Sequence, residues 1–482
     1  MSTGQRSTHR LSLGTMSAFG FGAISEATKN AAFNTFLLFY YNQVLGVSAT
    51  GTSIALAIAL IFDAITDPLA GSLSDKARTR WGRRHPFILF AAFPLAITLY
   101  LLFNPPELTE TAYMVWLGVF SVLVRTAMTF YHIPHLALGA ELTDDYNQRS
   151  TMYAFNTFFA ALGGALFIPF SYRLFFPTTA EFNPALLNQA AYSPWAIFAG
   201  GIIIFAIVVC FLGTKSEIPR LRAHVAEHQS RFSAGQLFAE LAAAFRNRSY
   251  RAIFFGMMLS TFVLAVEGIF NPFMGFHFWG MTTEQLTYIP LGSLVGLVLS
   301  MLLIPWVTRT FDKKPTLIGS AALTIINVNV PIVLSLMGVS WFPEPGSTTL
   351  LFILIISALV TATLGPIIFA TLNSMFADIT DEHELEVGER REGVIFAARA
   401  FAVKATSSMG LIFGGILLDY IQFPRGAMMG EVPADISWQL GFIAGPATSV
   451  ITLTGLILYL GYRIDRNRHA EIMAELDSRA GQ

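Results

Sequence analysis

Apolar stretches of membrane-crossing length, each closed by a polar, charged or proline-rich break, recur along the chain. They run approximately over 15–41, 51–74, 86–104, 112–139, 150–174 and 193–213, then over 250–278, 283–308, 314–338, 348–377, 393–420 and 437–463. A hydrocarbon core of about 30 Å is crossed by about 20 helical residues, and an isolated strand in lipid would leave its backbone polar groups without partners. Each stretch therefore predicts a transmembrane helix. The expected fold class is an all-α integral membrane protein with twelve spans.

Composition agrees with lipid as the solvent. Of the 482 residues, 54% are hydrophobic and 13% charged, against about 25% charged in a soluble domain, so too little polar surface exists to face water all round. The net charge of -1 points to no nucleic-acid partner. Cys210 is the single cysteine, which excludes an internal disulfide and a cysteine metal site. Arg6 and Arg10 precede the first stretch, but Glu26 and Lys29 lie inside it and no small-residue cleavage site follows. It reads as a retained helix rather than a signal peptide.

The breaks alternate in charge. Lys76, Arg78, Arg80, Arg83 and Arg84, then Arg220 to Arg248, then Arg309, Lys313 and Lys314, then Arg390 and Arg391, and finally Arg463 to Arg468 fall on one side of the membrane. By the positive-inside rule these loops and both termini are cytoplasmic. The intervening breaks, such as Pro105-Pro106-Glu107 and Pro343-Glu344-Pro345, face outward. A polar linker over 214–249 carries an apolar period at Leu237, Leu241 and Phe245, with Ser233 placed to cap it, which predicts a short helix on the inner membrane surface. The expected organisation is a six-helix half over 1–213, the linker over 214–249 and a second half over 250–482.

The halves repeat. Arg78 to Pro86 is echoed by Arg309 to Pro315, and Pro134 to Asp145 by Pro366 to Glu382, at nearly the same offset of about 230 residues. A duplication with one constant offset predicts two pseudo-symmetric halves related by an axis along the membrane normal, the plan of the major facilitator fold.

An ionisable side chain in mid-membrane costs at least about 2.5 kcal/mol, so each needs a reason. Asp63 and Asp67 stand four apart in the second span, on one helical face, where two anions repel unless a positive charge intervenes. That charge is either a small hard cation such as Na⁺, with Thr66 and Pro68 nearby, or a buried Arg or Lys. Lys404, among Ala405, Thr406, Ser407 and Ser408 in the eleventh span, is a candidate stand-in for the absent cation and hence a coupling residue. Glu267 in the seventh span and His132 in the fourth are candidates for a polar or zwitterionic substrate. Glu26 and Lys29 are expected to pair with each other at spacing three, with Glu26 kept as a substrate candidate. The basic run through Arg83 and Arg84 and the acidic-basic run from Asp378 to Arg390 are expected to form gating ion pairs between the halves. Asp378 to Glu384, which includes His383, lacks the paired-histidine spacing of a metal helix. No phosphate loop, nucleophile elbow or zinc-protease helix occurs, so neither an enzyme nor an organic cofactor is expected.

Asp63-Ala-Ile-Thr-Asp67-Pro-Leu-Ala-Gly71, Arg80-Trp81-Gly82-Arg83, Ile133-Pro134, Glu141-Leu142-Thr143, Arg149 and Lys404 together resemble the glycoside-pentoside-hexuronide:cation symporter family over nearly the whole chain. The resemblance implies that Asp63, Thr66, Asp67 and Thr129 bind Na⁺, that Lys404 lies beside them and that Arg149 belongs to the gating set. The sugar-gripping groups of the family's melibiose carrier are replaced by Ala27, His132 and Thr157. Phe130 to Pro134 and Val266-Glu267-Gly268 are similar to the sodium-dependent lysophosphatidylcholine transporter branch. The expectation is a Na⁺-coupled symporter of the cell's inner (plasma) membrane, surrounded by lipid and working as a monomer by alternating access. Its expected substrate is a lysophospholipid-like amphiphile contacting Glu267, His132, Thr157 and Glu26. A sugar or glycoside symporter driven by Na⁺ or H⁺, and a membrane sensor or scaffold that moves nothing, are the rival readings.

Overall fold

The computed structural model describes residues 10–143, 145–223, 245, 247–387 and 392–480. Its regular secondary structure is helical, as lipid demands of a chain that must satisfy every backbone group within its own segments. Leu237, Leu241 and Ser233 of the expected linker helix, and Arg390 of the expected gating set, lie outside the described residues.

Eleven helices among the described residues are long and apolar enough to cross a membrane. The first span is the twelfth. It is assembled from shorter pieces, α1 (Leu13–Phe21), α2 (Ala23–Ala31) and the wide π turns Ala32–Leu37 and Tyr40–Val44. Five single helices follow: α3 (Ala49–Lys76), α4 (His85–Leu102), α5 (Glu110–Glu141), α6 (Tyr146–Phe175) and α7 (Tyr192–Thr214). A short helix, α8, covers Ile218–Ala223. The later spans are α9 (Arg248–Phe273), α11 (Ile289–Thr310, preceded by the one-turn α10, Thr283–Leu286), α12 (Lys313–Leu336), α13 (Thr348–Val387), α14 (Glu392–Tyr420) and the pair α15 (Ala434–Phe442) and α16 (Thr448–Tyr459). The terminal α17 (Arg466–Ala480) is polar. Side-chain caps begin several of these elements, with Ser48 accepting from the Gly51 amide at 3.1 Å and Asn247 from the Tyr250 amide at 3.0 Å, as expected where the first turn leaves donors unpaired.

Residues 1–229 with 425–427 form one compact unit, and residues 230–424 with 428–482 form another. Each unit repeats one packing scheme. In the first, α1 and α2 lie against α6 and α7, α3 against α5, and α4 against α5 and α7. In the second, α9 lies against α14 and α16, α11 against α13, and α12 against α13 and α16. The same partners in the same order are what duplicated halves require.

Lipid gives helices no hydrophobic reason to associate, so contact rests on close packing and small residues. The first unit builds an aromatic knot in which Phe36 stands 4.5 Å and Phe103 4.8 Å from Trp195, with Tyr40 4.2 Å from Tyr192. The Trp195 indole N–H donates to Ser171 at 2.9 Å, which satisfies its one polar atom. Deeper in the same unit, Cys210 is fully buried. The second unit packs Tyr250, Met375, Phe376, Tyr459, Tyr462 and Ile472 into one core, so α17 is anchored by its apolar face. Outward-facing Ile61, Phe62, Ile65 and Leu69 on α3 are half exposed, the pattern expected of a surface that faces acyl chains.

Gly296 on α11 is where backbones approach most tightly. A β-carbon there would overlap the Leu359 carbonyl oxygen of α13 and press on Ala362, and Thr363 donates to the Gly296 carbonyl at 3.1 Å. Overpacking of this kind costs about 1–3 kcal/mol. Gly296→Val should lower the thermal unfolding midpoint of the detergent-purified protein well below that of Gly296→Ala; equal midpoints for the native chain and the valine variant would refute the close approach.

Candidate cation and substrate sites

The second span carries Asp63 and Asp67 one helical turn apart, and the fourth answers them one for one. Arg125 donates from Nη1 to Asp63 Oδ2 at 2.6 Å, and Thr129 donates from its hydroxyl to Asp67 Oδ1 at 2.9 Å. Both partner pairs are 62 residues apart, so α3 and α5 run parallel and two four-residue spacings mesh as rungs. Pro68 cannot supply the amide that the Ala64 carbonyl would accept within α3, which leaves an additional oxygen dipole on the turn between the two aspartates. The Thr66 hydroxyl turns back to the Asp63 carbonyl at 3.5 Å. Asp63 Oδ1 is buried without a hydrogen-bond partner.

Arg125 is the residue that reasoning from the sequence passed over. It interrupts the fourth apolar stretch at the same spacing from Thr129 that separates Asp63 from Asp67, and that mirrored spacing is the signal that could have found it. Its guanidinium lies 5.2 Å from the centre of the Phe33 ring, and the Lys29 ammonium lies 5.7 Å from the same centre. Both distances allow cation–π attraction.

Glu26 and Lys29 do not hydrogen-bond to each other. Glu26 Oε2 meets His132 Nδ1 at 2.9 Å, while the buried Lys29 ammonium donates to Asn30 Oδ1 at 2.6 Å. A spacing of three places two side chains on one helix face but does not oblige them to touch; Glu26 is met from the fourth span and Lys29 by its chain neighbour. Lys29 lies within electrostatic reach of Glu26, Asp63, Asp67 and Arg125. The first unit thus gathers three carboxylates and two basic groups on neighbouring spans, with the His132 imidazole bonded to Glu26. Thr157 lies elsewhere on this surface, exposed, its hydroxyl donating to the Tyr153 carbonyl of its own helix at 3.0 Å.

In the second unit Glu267 lines a cavity of about 380 Å³ with Asn271, Trp279 and Ser357 among walls that include Phe270, Met274 and Ile332. Glu267 forms no ion pair or hydrogen bond with a described residue. Lys404 is half-buried on α14, where its carbonyl accepts from Ser408 at 2.9 Å.

At the ends that carry the basic loops, each unit ties down internally the arginine or lysine at the start of its third span. Arg84 is buried, bonding Glu141 at 2.9 Å, Ser74 at 2.5 Å and Asp75; Arg83 reaches Glu141 at 3.1 Å. Arg149 donates to the Thr143 and Ala140 carbonyls. In the second unit Lys313 meets both oxygens of Asp378 at 2.6 Å, Tyr462 donates to Asp378 at 2.7 Å, and His469 from α17 stands 3.3 Å from Asp381. Burial and the Asp378 carboxylate beside it raise the Tyr462 phenol far above its ordinary value, so it remains a donor at any physiological pH. The described partners of Arg83, Arg84, Arg149 and Asp378 thus lie within the same unit, where the sequence led us to expect pairs across the halves; short loops place these charges beside their own helix ends first. Asp378, Asp381 and His469 form the carboxylate-histidine cluster among the described residues. The Lys313 ammonium already neutralises Asp378, so the donor set does not suit a divalent metal.

Comparison with known proteins places this geometry in a lineage. Residues 18–466 match the family described as MFS/sugar transport protein. The isoprimeverose transporter of Lactiplantibacillus pentosus is 24% identical, the match covering 95% of this chain and 91% of the relative. The sodium-dependent lysophosphatidylcholine symporter 1 of Gallus gallus is 23% identical, with 97% and 89% covered. Among solved structures, a bacterial homologue of the human lysosomal transporter Spinster in an inward-facing, unoccupied conformation superposes with a TM-score of 0.59 at 14% identity, covering 94% of this chain and 96% of that one, which supports the fold. The twelve-span duplicated architecture and the full-length match together establish that the chain belongs to the MFS/sugar transport protein family, as a multi-pass membrane symporter and not an enzyme.

Proposed function

We propose that the protein is a Na⁺-coupled symporter that works by alternating access, with Asp63, Asp67 and Thr129 holding the cation, Thr66 beside them and both termini in the cytoplasm. The observation that carries this reading is the buried, unpartnered Oδ1 of Asp63, one turn from an Asp67 already steadied by Thr129. An unsatisfied carboxylate oxygen in a low-dielectric site is expensive, and a small hard cation with carboxylate, hydroxyl and carbonyl ligands satisfies it. Cation arrival then lowers the electrostatic cost of closing the halves over substrate, so that each ligand favours the other. In this scheme Lys404 is the second half's coupling charge, and the ion pairs at Arg83, Arg84, Arg149 and Asp378 brace the inner ends between gating states.

For the substrate we favour a lysophospholipid-like amphiphile. Glu267 offers one uncompensated carboxylate in a mostly apolar cavity, which suits a quaternary ammonium on an acyl-bearing molecule better than a ring bristling with hydroxyls. Glu26 and His132, bonded to each other, are the polar contacts available from the first half. The second reading, a glycoside, is favoured by the isoprimeverose transporter among the relatives and by Trp279, Asn271 and Ser357, an aromatic platform with two amphoteric partners of the kind sugars use.

Two outcomes are expected. Asp67→Asn keeps the hydrogen bond from Thr129 and should fold normally, yet Na⁺-driven accumulation in proteoliposomes should fall by about five- to 150-fold, the usual span of a coupling free energy; an intact response to the gradient would remove Asp67 from the mechanism. Lysophosphatidylcholine, but not a panel of glycosides, should raise the unfolding temperature of the purified protein, and Glu267→Gln should abolish that shift. Stabilisation by a glycoside alone decides for the second reading.

A further inference from the structure

Arg125 alters what the pair of aspartates must do. A guanidinium and a carboxylate that are fully matched can form two parallel bonds, fork to fork. Here there is one: Nη1 meets Asp63 Oδ2 at 2.6 Å, whereas Asp63 Oδ1 and Arg125 Nε are both buried without hydrogen-bond partners. Half of the acceptor and part of the donor are held out of water and left unused. The same guanidinium stands 5.2 Å from the Phe33 ring, a second seat for a positive charge that needs no carboxylate. Arginine cannot shed its proton, so Arg125 and an entering cation would repel each other if both sat on Asp63.

We propose that Arg125 is a tethered competitor for the coupling cation. With the site empty, its guanidinium neutralises Asp63. When the cation bridges the Asp63 and Asp67 carboxylates, Arg125 swings off Asp63 and is kept by the Phe33 ring of the first span, beside which it already stands. The Asp67–Thr129 rung stays in place throughout and serves as the fixed half of the site. Occupancy of Asp63 by either positive charge means that the cation-free carrier never leaves two bare anions in lipid. It also makes cation binding report itself as a discrete side-chain displacement close to Lys29, whose ammonium stands over the same Phe33 ring.

This inference rests on the cation-site reading above, and one titration separates the two. Na⁺ is titrated at constant ionic strength into the purified protein in lipid nanodiscs, with binding heat as the readout, for the native chain and for Arg125→Gln, Arg125→Lys and Phe33→Leu. If the guanidinium holds Asp63 about nine-tenths of the time, Arg125→Gln should lower the half-saturating Na⁺ concentration about tenfold, because apparent affinity scales with the competent fraction. Arg125→Lys retains a competitor and should stay near the native value. Phe33→Leu removes the alternative seat and should raise the half-saturating concentration about two- to fivefold, the worth of a cation–π contact. A purely structural ion pair predicts unchanged or weaker Na⁺ binding in a folded Arg125→Gln, and that result overturns the proposal. Should Arg125→Gln fail to fold, an unchanged Phe33→Leu isotherm overturns it instead. Absence of Na⁺ binding by the native chain, by contrast, defeats the cation-site reading itself.

Discussion

The cost of an unpaired charge in hydrocarbon is the constraint from which the rest of this structure follows. Charged side chains within the first unit's described spans have been brought against polar or charged partners: Asp63 against Arg125, Asp67 against Thr129, Glu26 against His132, Lys29 against Asn30. The first two contacts require α3 and α5 to run parallel and in register. The scaffold and the site are therefore one design problem. Glu267 in the second unit stands apart, a carboxylate facing a cavity without a described partner, and on the proposed reading a transported ligand corrects that imbalance.

Much of this was legible in the sequence because membrane proteins write their fold in long, unbroken patterns. Span length, the alternation of basic breaks and the constant offset between Arg78 and Arg309 or Pro134 and Pro366 each follow from a single physical requirement. The first span was the least regular: Gly22 and two π turns divide what hydropathy reads as one helix. The helix ending at Val387 runs on well beyond the stretch expected to end near 377, because Asp378 to Glu384 continue its turns rather than breaking them, with Asp378 buried against Lys313 and Tyr462.

Side-chain partnerships were legible only where they lie along one helix. Asp63 and Asp67 declare themselves by their spacing, but nothing in local periodicity says that Arg125 will meet Asp63 across 62 residues, or that His469 will reach Asp381 across 88. Glu26 and Lys29 show the opposite failure, since proximity on one helix face suggested a pair and a neighbouring span supplied a better one. Register between helices is set by packing over the whole interface, and so it is the part of a membrane site that single-sequence spacing conveys least.

Cys210 has a practical consequence. The chain's sole thiol is sealed inside the first unit with no accessible surface, so a probe that reacts with sulfur in water finds the unmodified protein inert. Cysteines placed singly or in pairs on exposed loop positions would be the only ones to take up a spin label or a fluorophore. Distances across the membrane faces could then be followed during turnover in an otherwise native background, without first removing a residue from the core.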